Sequence, residues 1–421
     1  MRSTLTGDFA SPLFIKAIFI ALSFILWIDA FTGMIQFYAG VDLKLSLIYK
    51  LPLIGALIVV IGLYSRLTFS LILLSIFILI LGPLYRFSFD PKIGFLANDL
   101  SLAIKLITPF IAFYFCRIVA TQFPNIIGSY GIKALWINFY AVVFNLIIGA
   151  LGYGYPSYSG GENGEGIGVN GFYIAGNELS GCFVLLFAFV MHSLWNSKRF
   201  FYYPMSVFTL ICGALIATKT AIFASLLLVF AIPIFNEREN IFKLTKLKVK
   251  LFLPLFVIVA LAVYFIIDFL MVVGLYDKVI WVIEEKGIWG LILSGRVEFS
   301  NQVLEVFFWS SGWFEYLFGI GTIGMSDYFN TKYSAEVDPV DIFVYFGVLG
   351  SVIVYMYTII MMLPSLRLLN KNKYLPPIIV LVNILLLLLS VFSGHILNSG
   401  MLGLLWGMFN GLVYVKIVES K

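Results

Sequence analysis

The sequence is poor in charge. Of 421 residues only 27 are Lys or Arg and 22 are Asp or Glu, 12% together, about half the roughly 25% of a soluble domain. A soluble fold of this length cannot cover its surface with so few ionisable groups, which excludes soluble enzymes, nucleic-acid binders and disordered tails. Cysteine is scarce too: Cys116, Cys182 and Cys212 lie within apolar runs and make no CxxC pair, so they read as inert buried thiols. The two histidines, His192 and His395, stand far apart, which argues against a histidine metal site. No Gly-rich phosphate loop occurs in a strand–helix context, and no internal repeat of the kind seen in many transporters is visible.

What the chain does have is apolar length. Apolar residues make up 61% of it, in recurring runs of about 18 or more residues, enough to cross a bilayer. The expected fold is all-α: a polytopic integral membrane protein of one transmembrane domain over 1–421. Twelve spans can be drawn, at about 12–31, 47–64, 67–85, 99–119, 132–152, 174–195, 201–217, 220–235, 251–273, 340–363, 376–394 and 398–416. Arg2 is the one basic residue before the first run and no small-residue cleavage site follows, so that run is expected to stay as a helix.

The drawing places 16 of the 27 basic residues on the side of the N-terminus, mostly in short loops. By the positive-inside rule both termini are then cytoplasmic. Two segments stand out on the other side. Residues 153–173, dense in Gly, Ser and Asn, read as a flexible loop. The second, 274–339, is the only long polar insertion, and 274–341 holds ten acidic against four basic residues. Within it, 297–309 has helical spacing: Glu298, Asn301, Gln302 and Glu305 share one face, and Phe299, Val303, Val306 and Phe307 the other.

Ionisable groups at or near membrane depth are the candidates for chemistry, because each is costly unless paired or wet. Lys219, between Thr218 and Thr220 in a short turn, either holds a phosphate or sugar or snorkels to lipid headgroups. Arg296 either clamps a pyrophosphate or pairs with Glu298 or Glu305. Lys105, two turns into a span, is explained by snorkelling, with Asp99 and Arg86 near the same mouth. Glu336, Asp338 and Asp341 crowd the start of another span. Asp338 with Pro339 fits a helix N-terminus, where a carboxylate caps the dipole. Repulsion among these acids at a low-dielectric rim raises at least one pKa and suits a general base. Asn177 and Glu178 either bind carbohydrate or cap and orient the helix they begin.

In order, GFYIAGNELSG (171–181), TKTA (218–221), SGR (294–296), FGIGTIG (318–324) and EVDPVDIFVYFGVLG (336–350) resemble the bacterial O-antigen polymerase and O-antigen ligase superfamily of integral-membrane glycosyltransferases. The resemblance covers about 170–350. It implies a GT-C-like bundle of about twelve spans in the bacterial inner membrane, with 274–339 as a large periplasmic loop and the active site on that face. It implies that Lys219 and Arg296 bind the pyrophosphate of an undecaprenyl-linked oligosaccharide; Arg86, Asn177 and Glu178 join them as substrate-binding candidates from their own places at the same rim. Ligases of the superfamily carry a histidine eleven residues before the first glycine of a terminal GxxG. Here that glycine is Gly347 and the position is Glu336, which favours a polymerase using Glu336, Asp338 or Asp341 together with Arg296. The expected partners are the lipid-linked oligosaccharide, the bilayer and a chain-length regulator, with no cofactor, metal or nucleic acid. The rivals are a ligase of the same superfamily and a flippase for the same lipid-linked glycan.

Overall fold

The structure, a computed structural model, describes residues 10–158, 166–240, 246–265, 276–293, 296–330, 332–371 and 374–415, with a few single positions between them. Among these the fold is helical, and the sole β pairing is two isolated bridges, Tyr155 with Gly171 and Tyr158 with Ile167. They draw together the flanks of the Gly-rich stretch; the flexible-loop expectation for 159–165 lies outside the described residues.

The chain begins with α1 (Pro12–Ser23) and α2 (Ile25–Ala39), which meet at a 47° bend. It runs on through α3 (Leu45–Tyr64), α4 (Arg66–Phe89), α5 (Ile93–Gln122), the single turn α6 (Pro124–Ile126) and α7 (Ile132–Ala150). Then come α8 (Gly176–Ser197), α9 (Tyr202–Ile216), α10 (Lys219–Asn236) and α11 (Lys246–Tyr264). The polar insertion carries α12 (Tyr276–Leu293), α13 (Arg296–Ser310), α14 (Trp313–Phe318) and the short turn α15 (Gly321–Met325). The chain closes with α16 (Asp338–Leu368), α17 (Pro376–Phe392) and α18 (Gly403–Gly411).

Eight of the described helices are long and apolar enough to cross a membrane, or nine if α1 and α2 form one bent span. This is a polytopic helical membrane protein. The last two of the twelve expected spans are shorter than drawn. Helix stops at Phe392 and resumes at Gly403, leaving 17 and nine residues on the two sides of a break.

Of the eight helices long enough to span, α5 and α8 are the most enclosed, and several of the others pack on them. The short α18 reaches α5 through Gly403, Gly407 and Gly411, spaced every four residues. A Cβ at Gly407 would lie 2.0 Å from the Pro109 carbonyl oxygen, and one at Gly411 2.3 Å from the Cys116 Cβ. In lipid no hydrophobic effect drives helices together, so such close backbone approach and interhelical hydrogen bonds do. Asn383 of α17 supplies one bond, donating to Asn410 of α18 at 2.7 Å.

In α13 the two faces divide as the spacing requires, with Val303 and Phe307 buried and Glu298, Asn301, Gln302 and Glu305 exposed. The FGIG segment is wedged between α4 and α16. A Cβ at Gly319 would meet the Tyr345 carbonyl carbon and oxygen at 2.2 Å, and one at Gly82 would meet the Gly319 and Phe318 oxygens at 2.3 Å. Gly319 and Gly347 both lie at positive φ, 80° and 66°, which glycine alone adopts without cost. Gly319→Ala should therefore lower stability by about 2–4 kcal/mol, through combined backbone strain and overpacking. Gly40→Ala, at φ 66° with open space around it, should cost about 1 kcal/mol from strain alone. Thermal melts of both variants in detergent would check the difference.

Candidate functional site

The ten residues between α17 and α18 separate two apolar helices and make few backbone hydrogen bonds, among them Ser399 N–H to the Ile396 carbonyl at 3.4 Å. Helix ends leave orphan carbonyls and amides, and in a low-dielectric setting each needs a protein partner. Side chains from four other helices supply them. Asp338, the first residue of α16, accepts the backbone N–H groups of His395 at 2.5 Å, Ile396 at 2.9 Å and Leu397 at 2.8 Å. Glu178 of α8 accepts from the Ser399 hydroxyl at 2.7 Å and the Met401 N–H at 2.9 Å through one oxygen. Its neighbour Asn177 donates to the Ser393 carbonyl at 3.1 Å, and Arg296 of α13 donates to the Phe392 carbonyl. From α3, Lys50 donates to the Gly400 carbonyl at 2.9 Å while paired with Asp29 at 2.6 Å, both largely buried.

A second irregular segment, 332–337, crosses this break. Asp341 holds it by accepting from the Ser334 hydroxyl at 2.6 Å and the N–H groups of Ala335 at 2.7 Å and Glu336 at 3.1 Å. The two segments touch: a Cβ on Gly394 would lie 2.3 Å from the Glu336 carbonyl oxygen. Glu336 and His395 face each other across the crossing with φ of 57° and 58°, a conformation that costs a residue with a Cβ about 1 kcal/mol or more. The crossing holds both in it.

Glu336 is bound by two cations. Its Oε2 accepts from Arg296 at 2.9 and 3.3 Å, and its Oε1 lies 3.2 Å from the Lys332 ammonium. Burial alone would raise this carboxyl, but the charges of Lys332 and Arg296 outweigh it and hold it below the ordinary glutamate range.

Two cavities open at the crossing. One, of about 350 Å³, is walled by residues that include Asn98, Lys105, Thr322, Lys332 and Asn398. The other, of about 430 Å³, is walled by Tyr158, Asn177, Thr218 and Arg296 among others. Glu178, Glu336 and His395 line both. Three cations, Lys105, Lys332 and Arg296, thus face two carboxylates across polar surface, which suits an anionic group carrying hydroxyls. Among the described residues no group of His, Cys, Asp and Glu is placed to hold a metal ion. No family model matches the chain, nor does any curated protein or solved structure.

The sequence candidates separate into three sets. Glu336, Arg296, Glu178 and Asn177 line the cavities. Asp338 and Asp341 stand behind them, fully buried, their oxygens committed to the two irregular segments. Asp338 does not cap α16: Val337 is the N-cap residue, and the carboxylate reaches across to residues 395–397 because those amides have no other partner. Arg86 and Lys219 line neither cavity. Arg86 pairs with Glu315 at 2.6 Å, fixing α4 against α14, and Lys219 is exposed in the first turn of α10, while its neighbour Thr218 reaches the wall and bonds Ser180 at 3.0 Å. Arg296 takes Glu336 as its partner in place of Glu305, since α13 aims its first residue at the break. Asp99 is a buried clamp on α15, accepting from the N–H and hydroxyl of Thr322 at 2.6 Å each.

Sequence reasoning missed His395, Lys332 and Asn398, and set Lys105 aside. The signal available for His395 was its setting, SGHILNSG, a polar and glycine-bearing run between two apolar ones.

The lowered Glu336 carboxyl carries a sign. Its contribution to stability is present above the range of the unfolded carboxyl and is lost as pH falls through the lower folded value. The melting temperature of the wild type should therefore exceed that of Glu336→Gln at neutral pH, still do so near pH 4.3, and converge with it only at more acid pH. Asp338→Asn replaces one accepting oxygen by a donor and strands a buried N–H. It should cost about 1–3 kcal/mol and accelerate amide hydrogen exchange at 395–397 above all other positions.

Proposed function

We propose that this protein is a polymerase that joins undecaprenyl-pyrophosphate-linked oligosaccharide repeat units, of O-antigen or capsule, at the periplasmic face of a bacterial inner membrane. One observation carries the reading. Segments that resemble the glycosyltransferase superfamily are spread over about 170–350, and residues from four of them, Glu178, Thr218, Arg296 and Glu336, meet at a single pair of cavities, with Thr322 of the fifth beside them. The reading takes the twelve-span, GT-C-like architecture with both termini cytoplasmic. It also fits the order of helix ends: the walls come from the starts of α5, α8, α10 and α16 and the end of α17, which alternating spans bring to one side.

In this reading the growing chain on undecaprenyl pyrophosphate is the donor and a sugar hydroxyl of a new unit is the acceptor. Arg296, with Lys105 and Lys332, stabilises the pyrophosphate as negative charge develops on it. A planar guanidinium binds two phosphate oxygens at once, which a lysine does not. Glu336 holds Arg296 in place until the pyrophosphate displaces it.

A second reading, a flippase for the same lipid-linked glycan, is favoured by the helix break at 393–402, since transporters place irregular backbone at their binding sites. Purified protein supplied with lipid-linked repeat units separates the two. Polymerisation yields a ladder of longer chains. Arg296→Ala should reduce its rate about 100-fold or more, and Arg296→Lys should recover only part. Transfer of the lipid-linked unit across a vesicle membrane with no new glycosidic bond would overturn the polymerase, and an unchanged ladder from Arg296→Ala would overturn the pyrophosphate role.

A further inference from the structure

We infer that His395 is the general base of the site, taking the proton of the attacking sugar hydroxyl at the seam between the two cavities. The inference rests on the polymerase reading and adds to it a residue that the superfamily resemblance does not supply, since the segments that carry the resemblance end at 350.

The carboxylates near the seam are otherwise engaged. Glu336 is bound by Arg296 and Lys332, and a carboxylate neutralised by two cations is a weak base. Glu178 commits one oxygen to Ser399 and Met401. Asp338 and Asp341 are fully buried and accept three hydrogen bonds each from the two irregular segments. His395 differs from all four. It lines both cavities and is partly exposed, and its ring has no hydrogen-bond partner among the described residues. Its backbone is fixed by the Asp338 carboxylate and by the contact of Gly394 with Glu336. The residue is held in the left-handed region, at φ 58°, where glycine or asparagine would sit with less strain. Strain kept at a cavity wall points to a requirement for that side chain.

Two cavities that share a wall of Glu178, Glu336 and His395 are what a transfer between two large substrates requires. With the donor in one and the acceptor in the other, the acceptor oxygen attacks the anomeric carbon and forms the new glycosidic bond. The bond from that carbon to the phosphate oxygen breaks, its electron pair leaving with undecaprenyl pyrophosphate toward Arg296. The hydroxyl proton passes to the neutral imidazole and from there to water. The charged and titratable groups that surround His395 are Glu178 from α8, Lys105 from α5, Arg296 from α13, Lys332, Tyr333 and Glu336 from the crossing segment, Asp338, Asp341 and Tyr345 from α16, and Tyr158 on the cavity wall.

The backbone conformation supplies a clean test. His395→Gly and His395→Asn both accept positive φ and keep the N–H that Asp338 binds, so neither should unfold the site; melting temperatures check this. In the purified system with lipid-linked repeat units, kcat should fall about 100-fold or more while KM changes little. The acid limb of the wild-type pH profile should vanish, and added imidazole should restore turnover to His395→Gly but not to Arg296→Ala. Turnover within a few-fold of wild type in either variant would overturn the inference and leave the polymerase reading standing. A loss that imidazole does not restore, with the acid limb retained, would also overturn it, making His395 a positioning residue. A wild-type protein that forms no glycosidic bond would overturn both.

Discussion

Backbone amides and carbonyls far from water must find protein partners, and the break between α17 and α18 sets that demand. Ten residues there leave the helix, and Asp338, Glu178, Asn177, Lys50 and Arg296 close on them. They come from at or near the ends of four helices, so satisfying one irregular segment fixes the relative positions of α3, α8, α13, α16 and α17. The cavities are the space left when this convergence is complete. An arrangement of this kind resolves the cost of burying charge: most of the ionised groups at the site are held by backbone dipoles or by an opposite charge.

Much of the helical fold is legible in the chain because hydrophobic length alone signals it. The division of α13 into two faces was equally readable between Glu298 and Phe307, where period and residue type agree, though Phe308 and Trp309 beyond it are exposed. Glu336 and Arg296 could be singled out because a charge at a membrane rim is rare enough to mean something. Other features could not be read. Asp338 followed by proline has the local grammar of a helix cap, and nothing local says that amides 57 residues away compete for its oxygens more effectively. Lys219 and Arg86 looked alike as rim cations, and what distinguishes them from Lys105 is the direction each faces, a tertiary property.

The glycines of α18 show a limit of a different sort. Their four-residue spacing, GLLWGMFNG, was visible in the chain, yet its meaning depends on a partner helix offering carbonyls and small side chains at the same depth, as α5 does at Pro109, Ala112 and Cys116. His395 was set aside because two distant histidines make no metal pair. The fold gives it another neighbourhood, among charges contributed by five other segments of the chain.

The Asp29–Lys50 pair ties the beginning of the chain to its end. The Lys50 ammonium reaches the Gly400 carbonyl, 350 residues later. During synthesis α2 and α3 enter the membrane long before that carbonyl exists, and an isolated lysine at such depth would resist insertion. Its carboxylate partner, 21 residues earlier, is already present, so the two helices insert as a self-neutralised hairpin. The carbonyl then adds a third ligand to the ammonium only when the last helices arrive. Completion of the cavity walls is in this way deferred until α17 and α18 are in place, long after the charge of Lys50 has been neutralised by Asp29.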